Sequence, residues 1–300
     1  MKLKFQSLAM LGASLGLTLG AATAHAANPF GIAFKSETNV TLYAKPTGLV
    51  ITGRCNLYDA PFQTVRARGG EVLFYINPAS MPDNALCAYD RQFYMNDYGR
   101  VPLWPWPSYG QRILRPSNHL VDIRAGGAWS NYIVNFVVAK MRERKFDGVF
   151  VDTCGGRPWS SYPNWTNWSL AEKNAWTDGC VDLMRRLDAQ RRAINPNFLI
   201  VNNNVWDRSD GSTRGLVAQK YVDGITLEHP TCCLKPYHVA MAKRTFGNLG
   251  HRRVLVIANS ATEARSWAKI PGVTHVANQP TAYYGYPLAP VVSFTQLNDR

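Results

Sequence analysis

Eight short runs rich in Val, Ile, Leu and Phe, each followed by a loop and then a helical pattern, constrain this chain more than any other feature. They are Gly48–Gly53, Glu71–Asn77, His119–Arg124, Asp147–Asp152, Phe198–Asn203, Asp223–Glu228, Arg253–Asn259 and Val273–Asn278. Runs that are apolar at nearly every position suit strands buried on both faces, as in a parallel sheet covered by helices. Eight of them alternating with helices predict an α/β fold, a closed (β/α)8 TIM barrel. A doubly wound open sheet is the alternative. It usually carries a Gly-rich phosphate turn after its first strand, and none occurs here. Residues from about Asn28 to Lys45 precede the first of these strands and are left to an N-terminal hairpin or cap.

The longest helical pattern begins with a capping box. Ser169 precedes Glu172 by three residues, which lets the hydroxyl satisfy a free N–H at the helix start. Trp176, Cys180, Leu183, Met184 and Leu187 then recur on one face, and Asn195-Pro196 ends the helix. Two long inserts follow strands, so they belong on the C-terminal rim where barrel enzymes assemble their sites. The insert from Pro78 to Ser117 contains Trp104 and Trp106. The insert from Thr153 to Trp168 contains Trp159, Tyr162, Trp165 and Trp168.

The N-terminus reads as an export signal. Lys2 and Lys4 precede an uncharged stretch from Leu8 to Ala24, and Ala24-His25-Ala26 has the small-residue pattern of a cleavage site. The apolar part is short for a membrane span, and no later stretch qualifies, so no integral membrane segment is expected. The expectation is a signal peptide over residues 1–26 and one barrel domain over 27–300, secreted or periplasmic. Losing the two lysines lowers the formal charge from +13 to +11. Such a balance suits an anionic partner, such as an acidic polysaccharide or the cell envelope. The basic residues are scattered rather than gathered in a stripe, so a generally basic exported protein accounts for the charge equally well, and no nucleic-acid partner is expected.

Six cysteines in an oxidising compartment are disulfide candidates. Cys55 and Cys87 follow the first two predicted strands and can join neighbouring loops. Cys154 is placed to reach Cys232 or Cys233 across the rim, with Cys180 deep on a helix face. No C-x-x-C or H-E-x-x-H spacing is present, so neither a metal nor another cofactor is expected.

The sharpest chemical signal is a motif that occurs twice. Asp147-Gly148-Val149-Phe150-Val151-Asp152 matches Asp223-Gly224-Ile225-Thr226-Leu227-Glu228. Each has Asp-Gly entering an apolar strand and a carboxylate at its exit. A charge that ends an apolar strand needs a partner or a task, because burying it unpaired is costly. A salt bridge to Arg124 or Arg157 is the plain explanation, and catalysis the other. Two carboxylates in one context favour catalysis, with Asp147 and Asp223 left as turn or capping residues at the opposite ends.

Glycosidic hydrolysis uses two carboxyl groups, one to protonate the leaving oxygen and one to attack carbon or activate water. Asp152 and Glu228 are the candidate pair. Tyr75, Asn77, Arg124, Asn202, Asn203, Asn204, Asn259 and Gln279 lie at strand exits and form a candidate binding floor, with Trp104, Trp106 and Trp159 as stacking surfaces for sugar rings.

Tyr75-Ile76-Asn77, Phe146-Asp147-Gly148-Val149-Phe150-Val151-Asp152 and the late strand ending in Glu228 resemble glycoside hydrolase barrels related to the endo-α-1,4-polygalactosaminidases. The carboxylate placement on strands four and six is also similar to the α-galactosidase-like barrels. The resemblance implies Asp152 as nucleophile, Glu228 as acid/base and a carbohydrate polymer or oligosaccharide as substrate. The segments after each carboxylate, Thr153-Cys154-Gly155-Gly156 and His229-Pro230-Thr231-Cys232-Cys233, depart from the family pattern. The competing expectation is a non-catalytic carbohydrate-binding or envelope protein on the same barrel.

Overall fold

The computed structural model describes residues 27–33, 38–53, 57–82, 118–155, 167–203, 214–228 and 253–278. Eight parallel strands close into a barrel: β1 (Asn28–Ala33), β2 (Leu49–Thr52), β3 (Glu71–Ile76), β6 (Gly148–Val151), β7 (Leu199–Asn203), β8 (Gly224–Glu228), β9 (Arg253–Ala258) and β10 (His275–Asn278). Adjacent strands pair in chain order, and β10 returns to β1. The α/β barrel predicted from the eight apolar runs is the fold observed.

One strand of the prediction is corrected. The run His119–Arg124 is not in the barrel. Its start belongs to β5 (Asn118–Leu120), which pairs antiparallel with β4 (Ser80–Pro82) as a separate two-stranded ribbon. Leu120, Val121 and Ile123 are apolar because they are buried in the layer outside the barrel. The missing barrel strand is β1, in the segment assigned to a hairpin or cap, where Phe30 and Ile32 face the interior. The two errors cancel downstream. Asp152 still follows the fourth barrel strand and Glu228 still ends the sixth, whereas Tyr75 lies on the third strand rather than the second.

Strand alternation divides the core in two. Leu49, Ile51, Leu73, Phe150, Leu199, Val201, Leu255 and Ile257 pack inside the barrel. The intervening Val50, Val72, Phe74, Val149, Ile200, Ile225, Val254 and Val256 face the helices. Those helices are α1 (Ala60–Ala67), α2 (Ala128–Glu143), α3 (Leu170–Ile194) and α4 (Ala261–Trp267), with 3₁₀ helices at Thr38–Tyr43 and Arg214–Tyr221. In α2, Trp129, Ile133, Val137 and Met141 are buried at four-residue spacing, and the helix stops where Arg144 turns left-handed at φ 56°. Helix α3 begins as its sequence predicts, with Ser169 Oγ accepting the Glu172 N–H at 3.2 Å, and all five residues of the predicted face are buried. Among the described residues no helix is long and apolar enough to cross a membrane.

The repeated Asp-Gly acts as a strand-entry clamp at both places. Asp147 accepts the Val72 N–H at 2.9 Å and the Arg66 Nε–H at 3.0 Å. Asp223 accepts the Ile200 N–H at 2.9 Å and an Arg191 Nη1–H at 2.5 Å. Each thus stitches its own strand to the preceding one and neutralises its charge on a helix arginine. The glycines serve packing. A Cβ at Gly148 would lie 2.6 Å from Leu73 Cδ2, and one at Gly224 would lie 2.5 Å from the Arg253 carbonyl.

Candidate active site

The C-terminal ends of β3, β6, β7 and β8 carry the polar residues that the apolar strands lead up to. Asp152 follows the last residue of β6 and continues its pairing, donating its N–H to the Ile76 carbonyl at 2.9 Å. It is two residues after Phe150, which faces the barrel interior, so alternation turns its carboxylate to the barrel mouth. Among the described residues these donors meet it there. Tyr75 Oη donates to Oδ2 at 2.5 Å, Asn203 Nδ2 to Oδ1 at 2.9 Å, and the Thr153 N–H to Oδ1 at 2.8 Å. An ionised carboxylate only accepts hydrogen bonds, so this set matches the anion.

Position 228 is the last residue of β8 and is in register with Ile257 of β9, an interior residue. Thr226, one step earlier on the same face, is in register with both Asn203 and Leu255. Residues 152 and 228 therefore occupy the same end of the barrel, on the fourth and sixth strands.

The salt bridge to Arg124, the alternative to catalysis for these carboxylates, does not form. Arg124 instead binds Asp122, with Nε and Nη2 donating at 2.8 and 2.7 Å, and its side chain is about half exposed.

The other floor candidates separate. Asn203 joins Asp152 directly. Asn202 does not face the mouth: adjacent strand residues point to opposite faces, and it is fully buried outside the barrel. There its Nδ2 donates to the carbonyls of Cys154 at 3.0 Å and Val151 at 3.4 Å. Its assignment to substrate binding is corrected to a structural one. Asn77 accepts the Ala79 N–H at 3.3 Å in the turn after β3. Asn259 is exposed, with its N–H donated to Glu263 at the start of α4. Trp104, Trp106, Trp159, Asn204, Gln279 and Arg157 lie outside the described residues. Trp168, in the second tryptophan-rich insert, is no stacking platform. It is buried, and its ring meets Trp176 edge-on at 6.1 Å.

The cysteine pairing is also corrected. Cys154 bonds to Cys180 of α3, with Cα atoms 5.2 Å apart, rather than to Cys232 or Cys233. The burial of Cys180 suggested an inert helix position, but the turn after Asp152 comes down onto that same face. Cys55, Cys87, Cys232 and Cys233 lie outside the described residues. Among the described residues no three His, Cys, Asp or Glu side chains converge as a metal site.

Tyr75 was visible in the sequence as a sugar-contacting candidate, but its link to Asp152 was not. Residues 75 and 150 are register partners on β3 and β6, and their rings stack at 6.1 Å. Only the adjacency of the two strands reveals this, because 77 residues separate Tyr75 from Asp152 in the chain.

Comparison with known proteins agrees with this architecture. Two structures of the glycoside hydrolase domain of PelA from Pseudomonas aeruginosa, one of them a single-residue variant, are similar at 13% identity. Each alignment covers 89% of this chain and 98% of that one, with TM-scores of 0.54 and 0.53. At that identity the likeness is one of fold. No curated protein matches the chain in sequence. The model of hypothetical glycosyl hydrolase family 15 matches residues 70–232, from the entry of β3 to just beyond β8, and so includes both Asp152 and Glu228. That match spans more than half of the sequence, and the chain belongs to hypothetical glycosyl hydrolase family 15.

Proposed function

We propose that this chain is an exported glycoside hydrolase that cleaves a polysaccharide or oligosaccharide, with Asp152 as nucleophile and Glu228 as acid/base. The observation that carries this reading is the Asp152 carboxylate, set at the barrel mouth and held by Tyr75, Asn203 and the Thr153 N–H. Family membership supports hydrolysis as the reaction class. Residues 1–26 are a leader removed on export, and residues 27–300 form the single barrel domain. The net positive charge of the mature chain favours a glycan with anionic groups.

In the proposed reaction an Asp152 oxygen attacks the anomeric carbon as the glycosidic C–O bond breaks. Glu228 gives its proton to the departing oxygen. Water then attacks the glycosyl-enzyme ester, giving its proton to Glu228 and freeing Asp152. The donors around Asp152 fix the direction of attack, and such positioning lowers the barrel-mouth entropy cost of reaching the transition state.

Asp152→Asn and Glu228→Gln test the assignment, with turnover and thermal unfolding followed on the same samples. The substrates are α-linked galactose, galactosamine and uronic-acid polymers. Loss of positioned acid or base help costs on the order of 10²–10⁴ in rate, while each amide preserves shape. Full activity with a lowered melting temperature in either variant would make the carboxylate structural. Binding of a polymer without any cleavage by the unaltered chain would make the protein a carbohydrate-binding one.

A further inference from the structure

The turn that follows Asp152 is held in an unusual conformation. Thr153 has φ 59°, in the left-handed region that a β-branched residue seldom enters. In that conformation its N–H is bonded to Asp152 Oδ1 at 2.8 Å. Such a residue persists where its surroundings over-determine it.

The neighbouring Cys154 supplies that constraint twice over. Its carbonyl accepts the Asn202 amide at 3.0 Å, and its sulfur is bonded to Cys180 of α3. Cys154, Cys180 and Asn202 are all essentially inaccessible to solvent. Helix α3 is itself seated without slack at this point. Gly179, beside Cys180, lies so close to the backbone after β5 that a Cβ there would be 2.2 Å from the Ile123 carbonyl oxygen.

We propose that the Cys154–Cys180 disulfide is a positioning device for Asp152. It pins the 152–154 turn to α3, keeps Thr153 left-handed, and so keeps the Thr153 N–H on the carboxylate. Turnover then depends on oxidation of this pair. The proposal rests on Asp152 being the catalytic carboxylate. A disulfide that only restricts the unfolded chain behaves differently, because its loss lowers stability and leaves the folded site unchanged.

The test uses the full mature chain with Cys154→Ala and Cys180→Ala together, which leaves no unpaired thiol at the site. Hydrogen exchange at the Thr153 amide is measured beside kcat and KM on whichever of the α-linked galactose, galactosamine and uronic-acid polymers the unaltered chain cleaves. Exchange at Thr153 should accelerate by about 100-fold as the turn opens locally. The kcat should fall by about 10- to 100-fold while KM stays within about threefold, since the carboxylate is misaimed rather than the glycan released. Adding Thr153→Asn, which favours the left-handed region, should recover part of the lost kcat.

Unchanged exchange at Thr153, or unchanged kcat with only a lower melting temperature, overturns the proposal. Should the double variant fail to fold, Cys154→Ala with Cys180→Val, which refills more of the buried volume left by the sulfurs, gives the same two readouts. If the unaltered chain cleaves none of the polymers, the hydrolase reading fails by itself, and the exchange rate alone decides whether the disulfide holds the turn.

Discussion

Tyr75 and Asp152 are joined across the adjacent strands β3 and β6 by a 2.5 Å hydrogen bond, with the Tyr75 ring stacked on Phe150, two residues before Asp152. The ring is thus placed by core packing and the hydroxyl by the carboxylate. Tyr75→Phe should separate the two contributions. The ring and its contact with Phe150 remain, so the melting temperature should move little. A hydrogen bond to a charged group contributes about 1.5–3 kcal/mol, so kcat should fall by roughly 10- to 100-fold. Steady-state kinetics and thermal unfolding of the variant check both parts.

Arg191 and Asp223 form a buried pair at the entry of β8, with side chains 12% and 9% exposed. Arg191→Ala should destabilise the protein by about 3–5 kcal/mol, because the buried carboxylate loses its guanidinium. Urea unfolding measures this. The matching change on the other motif, Arg66→Ala, should cost less. That pair is 27% and 30% exposed, and water can replace the lost guanidinium.

This difference was not legible in the repeated motif, which reads identically at its two Asp-Gly entries. Much else was legible. Apolar runs of six or seven residues between helical patterns left few folds open, and alternation along each strand sorted interior from exterior residues. The first barrel strand was missed because Asn28–Ala33 starts beside a proline, carries a glycine at its centre and sits just behind the expected cleavage site. The run after His119 was taken in its place because a segment buried under helices has a strand's composition without strand partners in the barrel. Asp152, at the centre of the candidate site, was legible because its charge ends an apolar run. Contacts set by tertiary approach, such as Cys154 meeting Cys180, leave no trace in spacing.

His275 begins β10 and is buried, with Nε2 lying 3.3 Å from the Thr47 carbonyl. Desolvation, helped by the nearby charge of Arg253, pushes its pKa down to about 3. Unfolded histidine titrates near 6.5, so on acidification the unfolded chain takes up this proton first. The stability contributed by the neutral ring is therefore fully present above about pH 6.5 and is lost as pH falls towards about 3. The slope approaches roughly 1.4 kcal/mol per pH unit within that window. His275→Gln removes the titration, so the stability advantage of the unaltered chain over this variant should shrink steadily between pH 7 and pH 4 in urea unfolding. A constant difference across that range would contradict a neutral buried ring.

Asn202 and Asn203 are chain neighbours with opposite tasks, and their alanine variants should part accordingly. Asn203 sits on the interior face of β7 and donates to Asp152 at 2.9 Å. Removing that donor leaves the strand and its pairing intact, so the main loss should be in kcat, by roughly 10- to 100-fold. Asn202 sits on the outer face, fully buried, with its amide on the Cys154 and Val151 carbonyls. Its removal strands two buried carbonyls and opens a small void, which should cost about 1–3 kcal/mol of stability. Because the Cys154 carbonyl belongs to the turn behind Asp152, some activity should be lost as well, but alongside a fall in melting temperature. Paired measurement of kcat and thermal unfolding on both variants distinguishes them. If Asn202→Ala lost turnover at full stability, or Asn203→Ala unfolded the protein without affecting the chemistry of what remained folded, the two faces of β7 would have to be exchanged and Asp152 would lose its amide donor.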